Sequence, residues 1–172
     1  MSNKNFHYKD MSFSPKQCHA ARGLLNLSQS EVAEPAHVTA ATLSQFERYG
    51  KAPGYNNLQA IRATLETAGI AFIPANGGGP GVRLREVRSG FGTSETLFFP
   101  DLCRAARNIL NMSQWDLAEA AGIARSTVAE FERGARVPTS NNLQAMRDAL
   151  EAAGVAFIEA DSSAGPGVRL RK

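Results

Sequence analysis

The sequence predicts a mainly α fold built twice in tandem, each copy a small helical bundle followed by a short β-hairpin. Three observations predict it: a gapless internal duplication, apolar residues at helical spacing through most of each copy, and two short β-prone runs closing each copy around a Gly-containing loop. Sliding the chain by 85 residues lays residues 16–75 over 101–160, with 30 of the 60 positions identical. After a one-residue shift the match resumes as GPGVRLR, at 79–85 and again at 165–171. Solenoids usually need at least three repeats to bury a continuous core, so two units point to two packed domains. The expected division is a tail over 1–14, a first domain over 15–85, a linker over 86–99 and a second domain over 100–172.

Composition narrows the class. The 172 residues are 43% hydrophobic and 20% charged, which excludes a wholly disordered chain. No run approaches the roughly 18 apolar residues of a membrane span, and MSNKNFHYKDMSFS lacks the apolar centre of a secretory leader. A cytoplasmic protein with no membrane partner is expected. Net charge is only +3. Residues 1–86 hold 9 Lys/Arg against 6 Asp/Glu and residues 87–172 hold 10 against 10, so no global basic field argues for nucleic acid. Placement must carry that case.

The second copy shows the elements most clearly. Leu102, Ala106, Ile109 and Leu110 recur at helical spacing after Pro100, giving a first helix over 100–111. Ser113 reads as an N-cap for an Ala-rich second helix over 114–121, with Asp116 in its first turn and Gly122 as its stop. Ile123 follows as an apolar plug. A third helix over 125–133 turns Val128 and Phe131 to the core, with Gly134 closing it. A fourth, over 141–153, is buried through Leu143, Met146 and Leu150 and ended by Gly154. VAFI (155–158) and GVRL (167–170) then form the hairpin. A lone two-stranded ribbon is marginal, so the two hairpins are expected to pair with each other, or between chains in a homodimer.

Two short helices joined by Ala-Gly-Ile, the second rich in small and polar residues, suit one helix entering a major groove roughly 12 Å wide while the other braces it. The stretch MSQWDLAEAAGIARSTVAEFERGARVP (112–138), with its counterpart LSQSEVAEPAHVTAATLSQFERYGKAP (27–53), resembles the lambda-repressor-like helix-turn-helix family, of the Cro and xenobiotic-response-element type. The resemblance covers about 55 residues of each copy. It implies a four- or five-helix bundle whose third helix reads double-stranded operator DNA, in a transcriptional regulator acting as repressor or dual regulator. It further implies that Gln114 holds a phosphate, that Glu132 pairs with Arg107, and that Arg125, Ser126 and Glu130 face bases while Thr127 and Arg136 lie nearer phosphates. Arg suits the O6/N7 edge of guanine and Glu accepts from cytosine N4. Carried onto the first copy, the same places hold Gln29, Ala40, Ala41 and Gln45, flanked by Thr39 and Thr42, with Lys51 matching Arg136. Gln suits adenine and Ala a thymine methyl, so the two copies should prefer different bases. Related single-domain proteins are implied to bind as dimers with recognition helices about 34 Å apart. The 15 steps from Arg85 to Pro100 reach about 50 Å when extended and permit that spacing within one chain.

Plainer readings stand beside these. Arg22 with Glu47 and Arg107 with Glu132 recur in both copies and read as structural pairs. Arg125 could be a solvated charge, and Trp115 reads as surface or core packing rather than as a platform for single-stranded bases. Gly77-Gly78-Gly79-Pro80-Gly81 lacks the Gly-Lys-Ser/Thr ending of a phosphate loop and reads as a hairpin loop. Cys18 and Cys103 read as buried packing residues; with His7, His19 and His37 they form no metal-ligand spacing, and no serine sits in a nucleophile elbow. No enzyme, metal or cofactor is expected. The first copy departs from the pattern where Pro35 falls inside its expected second helix and His37 replaces the turn glycine. That departure, with Ala40 and Ala41, favours an alternative reading as an antitoxin- or antiactivator-like module with a protein partner.

Overall fold

The computed structural model describes residues 13–86 and 98–171. Most of the expected tail and of the linker lies outside the described residues. Each repeat contributes four helices and a hairpin. In the first these are α1 (Pro15–Leu25), α2 (Gln29–Ala33), α3 (Ala40–Tyr49), α4 (Tyr55–Thr67), β1 (Ile70–Ile73) and β2 (Gly81–Leu84). In the second they are α5 (Pro100–Leu110), α6 (Gln114–Ala121), α7 (Arg125–Glu132), α8 (Ser140–Ala152), β3 (Val155–Ile158) and β4 (Gly167–Leu170). The fold is therefore mainly α with a small antiparallel sheet, as the sequence predicts.

Local chemistry sets the helix ends. Ser28 and Ser113 each accept from the backbone N–H three residues on, while Glu31 and Asp116 accept from the cap's own N–H, so α2 and α6 begin with reciprocal capping boxes. Those hydrogen bonds hold both carboxyls below their usual range. Gly122 ends α6 at φ 64°. The first repeat corrects one expectation: Pro35 does not lie within α2, which stops at Ala33 and is five residues long against eight for α6. Having no N–H to donate, the proline ends the helix early. The chain nevertheless follows the same path, because His37 takes φ 53° in the glycine's place. The N–H groups of His37 and Val38 donate to Glu34 O and Ala33 O, as those of Gly122 and Ile123 do to Glu119 O and Ala118 O.

The apolar faces meet in one core that includes Leu24, Leu43, Phe46, Ile61 and Val82 of the first repeat and Ile109, Leu117, Val128, Phe131, Met146 and Val168 of the second. Leu143 is only half-buried. Each fully buried side chain of this size contributes roughly 1.5–3 kcal/mol. Phe13 packs between Phe46 and Phe72, at 5.7 and 4.9 Å between ring centroids, and Phe98 between Phe131 and Phe157, at 5.6 Å each. These rings tie the chain just ahead of the first helix of each repeat to its third helix and hairpin. Gln17 adds a polar tie in the first repeat only: its buried amide donates to Ile73 O and Gly81 O at 2.9 Å each, where the second repeat has Leu102.

The hairpins pair within the chain, in the strand order β1-β2-β4-β3. At the centre β2 lies antiparallel to β4 with Val82 opposite Val168, Gly81 opposite Arg169 and Arg83 opposite Gly167. Because Gly81 matches Gly167 and Arg83 matches Arg169 in the duplication, this register places an approximate two-fold axis through the valine pair. Glycine is required on both sides: a Cβ at Gly81 or Gly167 would run into the facing carbonyl of Val168 or Val82. Each central arginine crosses the axis to brace the other repeat's loop. Arg83 donates to Gly165 O, Ala164 O and the Asp161 carboxylate at 2.9–3.0 Å, and Arg169 to Gly79 O at 3.0 Å.

The same axis packs α1 against α5, and here the copies have diverged. A Cβ on Gly23 would stand 2.6 Å from Asn108 Nδ2, which donates to His19 O at 3.1 Å. Arg104, at the position matching His19, donates to Gly23 O at 2.9 Å and to Glu132 O. The contact is thus small residue against large across an axis that would otherwise set like against like.

Candidate nucleic-acid interface

The helix-turn-helix unit of each repeat is anchored by one buried glutamate. Glu132, at the end of α7 and 3% exposed, accepts from Arg107 Nε and Nη2 at 2.8 and 3.0 Å. Arg107 also donates to Met112 O at 2.7 Å, so a single guanidinium links α5, the turn before α6 and the end of α7. Gln114, the first residue of α6, donates from Nε2 to Glu132 Oε2 at 2.9 Å. The thiol of Cys103 lies 3.8 Å from the other carboxylate oxygen; burial first, then that carboxylate's charge, pushes the thiol well above its ordinary pKa. The first repeat repeats the arrangement with Arg22, Gln29, Cys18 and Glu47. Bidentate, charge-assisted bonds of this kind fix orientation as well as energy, and they set the third helix of each repeat against the first and second.

The Arg–Glu pairing expected from the sequence is present. Gln29 and Gln114, expected from the sequence to hold phosphate, each donate one amide N–H to the buried carboxylate instead. An amide of this kind has a second N–H to donate. All four network residues are identical in both copies, and that joint identity was the signal from which the whole network, rather than the ion pair alone, could be read.

In the second repeat Arg125 and Ser126 occupy the first two positions of α7 and are exposed, with Ala124 as an N-cap that offers no side-chain hydrogen bond. Thr127, Glu130 and Arg136 come together around a cleft of about 170 Å³ that Val137, Pro138, Thr139 and Asn142 complete. The N–H groups of Ala135 and Arg136 both donate to Glu130 O, folding the loop after α7 back on the helix. Arg125 instead borders a second hollow that contains Trp115. The candidates of this repeat therefore form two adjoining groups.

In the first repeat Ala41, Gln45 and Lys51 are exposed and Ala40 is half-buried. Thr39 caps α3 by accepting from Thr42 N at 3.0 Å, and the two hydroxyls meet at 2.9 Å. One hydroxyl proton of that pair serves the other oxygen, leaving one to donate outward. This surface is more neutral than its counterpart: Ala40 stands for Arg125 and Gln45 for Glu130, and Tyr49, 78% exposed, replaces Gly134. Trp115, 64% exposed, lies outside the core, which decides between the two kinds of packing expected of it.

Among the described residues no cluster of His, Cys, Asp and Glu could hold a metal ion, and no helix is long and apolar enough to cross a membrane. A search of curated proteins finds no match. The helix-turn-helix family model matches twice, at residues 19–68 and 104–152, spanning α1 to α4 and α5 to α8. Those two matches cover more than half of the chain and coincide with the two anchored units, so the protein belongs to the lambda repressor/Cro-like helix-turn-helix family of DNA-binding regulators, in two tandem copies.

Proposed function

We propose that the protein is a sequence-specific double-stranded DNA-binding transcriptional regulator, a repressor or dual regulator, whose units over 15–85 and 100–172 act as an intramolecular pair. The observation that carries this is the junction of the repeats: β2 on β4 and α1 on α5, related by one approximate two-fold axis. A two-fold pair is how two recognition helices meet successive faces of a duplex. Joining them in one chain makes the second contact intramolecular and raises avidity. Within each unit Gln29 and Gln114 offer their remaining amide proton to phosphate, as do Thr39 or Thr42, Lys51, Thr127 and Arg136, and bases meet Ala40, Ala41 and Gln45 or Arg125, Ser126 and Glu130.

Selection of duplexes from a random library, run on the intact chain and on Arg125→Ala, tests the reading. A two-part site is expected, with specificity lost in one half in the variant. A second reading, a partner-masking module of the antitoxin or antiactivator kind, is favoured by the neutral first repeat with its proline-shortened α2. Binding of the intact folded chain to another protein, insensitive to salt and with no enriched duplex, would favour it; DNA binding that falls steeply with salt would not.

A further inference from the structure

Trp115 is the chain's single tryptophan and stands at the second position of α6, directly after Gln114. With 64% of its surface exposed it contributes little to the core, although large apolar rings are normally withdrawn from water. With Ala118, Ile123 and Ala124 it walls an open hollow of about 300 Å³, completed by Glu119 and by Arg125 at the start of the recognition helix. The first repeat has Ser30, Val38, Thr39 and Ala40 in place of Trp115, Ile123, Ala124 and Arg125, so it has neither the ring nor the guanidinium that wall the hollow in the second repeat. Its walls are mainly apolar, and the Glu119 carboxylate beside them disfavours a phosphate. It is nonetheless continuous with the surface that carries Arg125, so a strand meeting Arg125 passes beside the indole.

We propose that Trp115 covers the apolar C–H edge of the DNA strand flanking the base that Arg125 meets, a deoxyribose or a thymine C5-methyl. The contact strengthens the second half-site without drawing on charge; it rests on the DNA-binding function proposed above.

The lone tryptophan reports on itself. The full chain is titrated with the most enriched duplex from the library selection, binding being followed separately by anisotropy of labelled DNA. Saturating duplex is expected to shield Trp115 emission from acrylamide. Trp115→Ser, which installs the first repeat's residue at an exposed site, is expected to bind roughly tenfold more weakly with an unchanged dependence of log K on log salt. Replacing flanking thymines by uracil reproduces the loss when the methyl is covered and leaves binding unchanged when the sugar is. Duplex binding with Trp115 equally quenchable and Trp115→Ser affinity unchanged would overturn the proposal, as would a loss accompanied by a shallower salt slope. If no duplex binds the folded chain, the functional reading fails and this one falls with it.

Discussion

At the scale of single residues, Glu132 and Arg125 divide structure from recognition. Glu132 gathers Arg107, Gln114 and Cys103 around one buried carboxylate, so Arg107→Ala leaves that charge with only the neutral amide of Gln114 and thiol of Cys103 beside it. The expected loss is about 3–5 kcal/mol, read as a fall in the urea midpoint, and Arg22→Ala should behave alike. Lost DNA binding in those variants would therefore be a consequence of unfolding. Arg125 is exposed and its substitution should leave stability within about 0.5 kcal/mol. Arg125→Ala should instead relax preference at one base position by about 1–3 kcal/mol, measured by competition between duplexes differing at that position. The sequence made this division legible because both copies keep the Arg–Glu pair and only one has Arg125. It did not show that Gln114 serves the buried carboxylate, since an amide at a helix start suits phosphate and protein acceptor equally well.

At the scale of elements, the two helix-turn-helix units show how much a path can be preserved while its chemistry changes. Helix periodicity, serine caps and glycine stops placed the helices to within a residue or two, because the relevant interactions lie within a turn of chain. The turn after α2 was harder. Pro35 shortens that helix, yet the backbone bonds of Glu34, His37 and Val38 rebuild the closure seen after α6. The residue that bears the strain is His37, held at φ 53° where its counterpart is glycine. A left-handed backbone disfavours a residue with a Cβ by about 1–2 kcal/mol. His37→Gly should therefore raise the melting temperature by a few degrees, the gain offset in part by the greater freedom of glycine in the unfolded chain. A melting temperature that falls would mean that the imidazole makes a compensating contact. If the neutral surface of α3 rather than the shape of this turn weakens the first repeat, the same variant should leave its half-site specificity unchanged.

At the scale of the whole molecule, the choice between pairing within the chain and pairing between chains was open in the sequence, because identical GVRL strands suit either. In the structure the hairpins pair within the chain, and the diverged contacts along α1 and α5 suit that pairing: Gly23 makes room for Asn108, and Arg104 donates to Gly23 O. That junction is also sensitive to acid. Burial first, then the nearby guanidinium groups of Arg22, Arg107 and Arg48, outweigh the opposing Glu47 and push the pKa of His19 down to about 4 from its ordinary 6.5. The unfolded chain thus binds the proton more readily, and stability is lost as pH falls from about 6.5 toward 4, by on the order of 2–3 kcal/mol. Urea midpoints should fall across that window, and His19→Gln should flatten the fall. The sheet offers a sharper test of whether the pair acts as one reader. Gly167→Val drives a side chain into the Val82 carbonyl and breaks β2 from β4, while each repeat keeps its own helices and anchoring glutamate. Small-angle scattering should then show a more extended particle, and the two-part DNA site should give way to weak binding of separate halves. A variant that stays compact and still binds the two-part site tightly would show instead that α1 against α5 suffices to hold the two recognition helices in register.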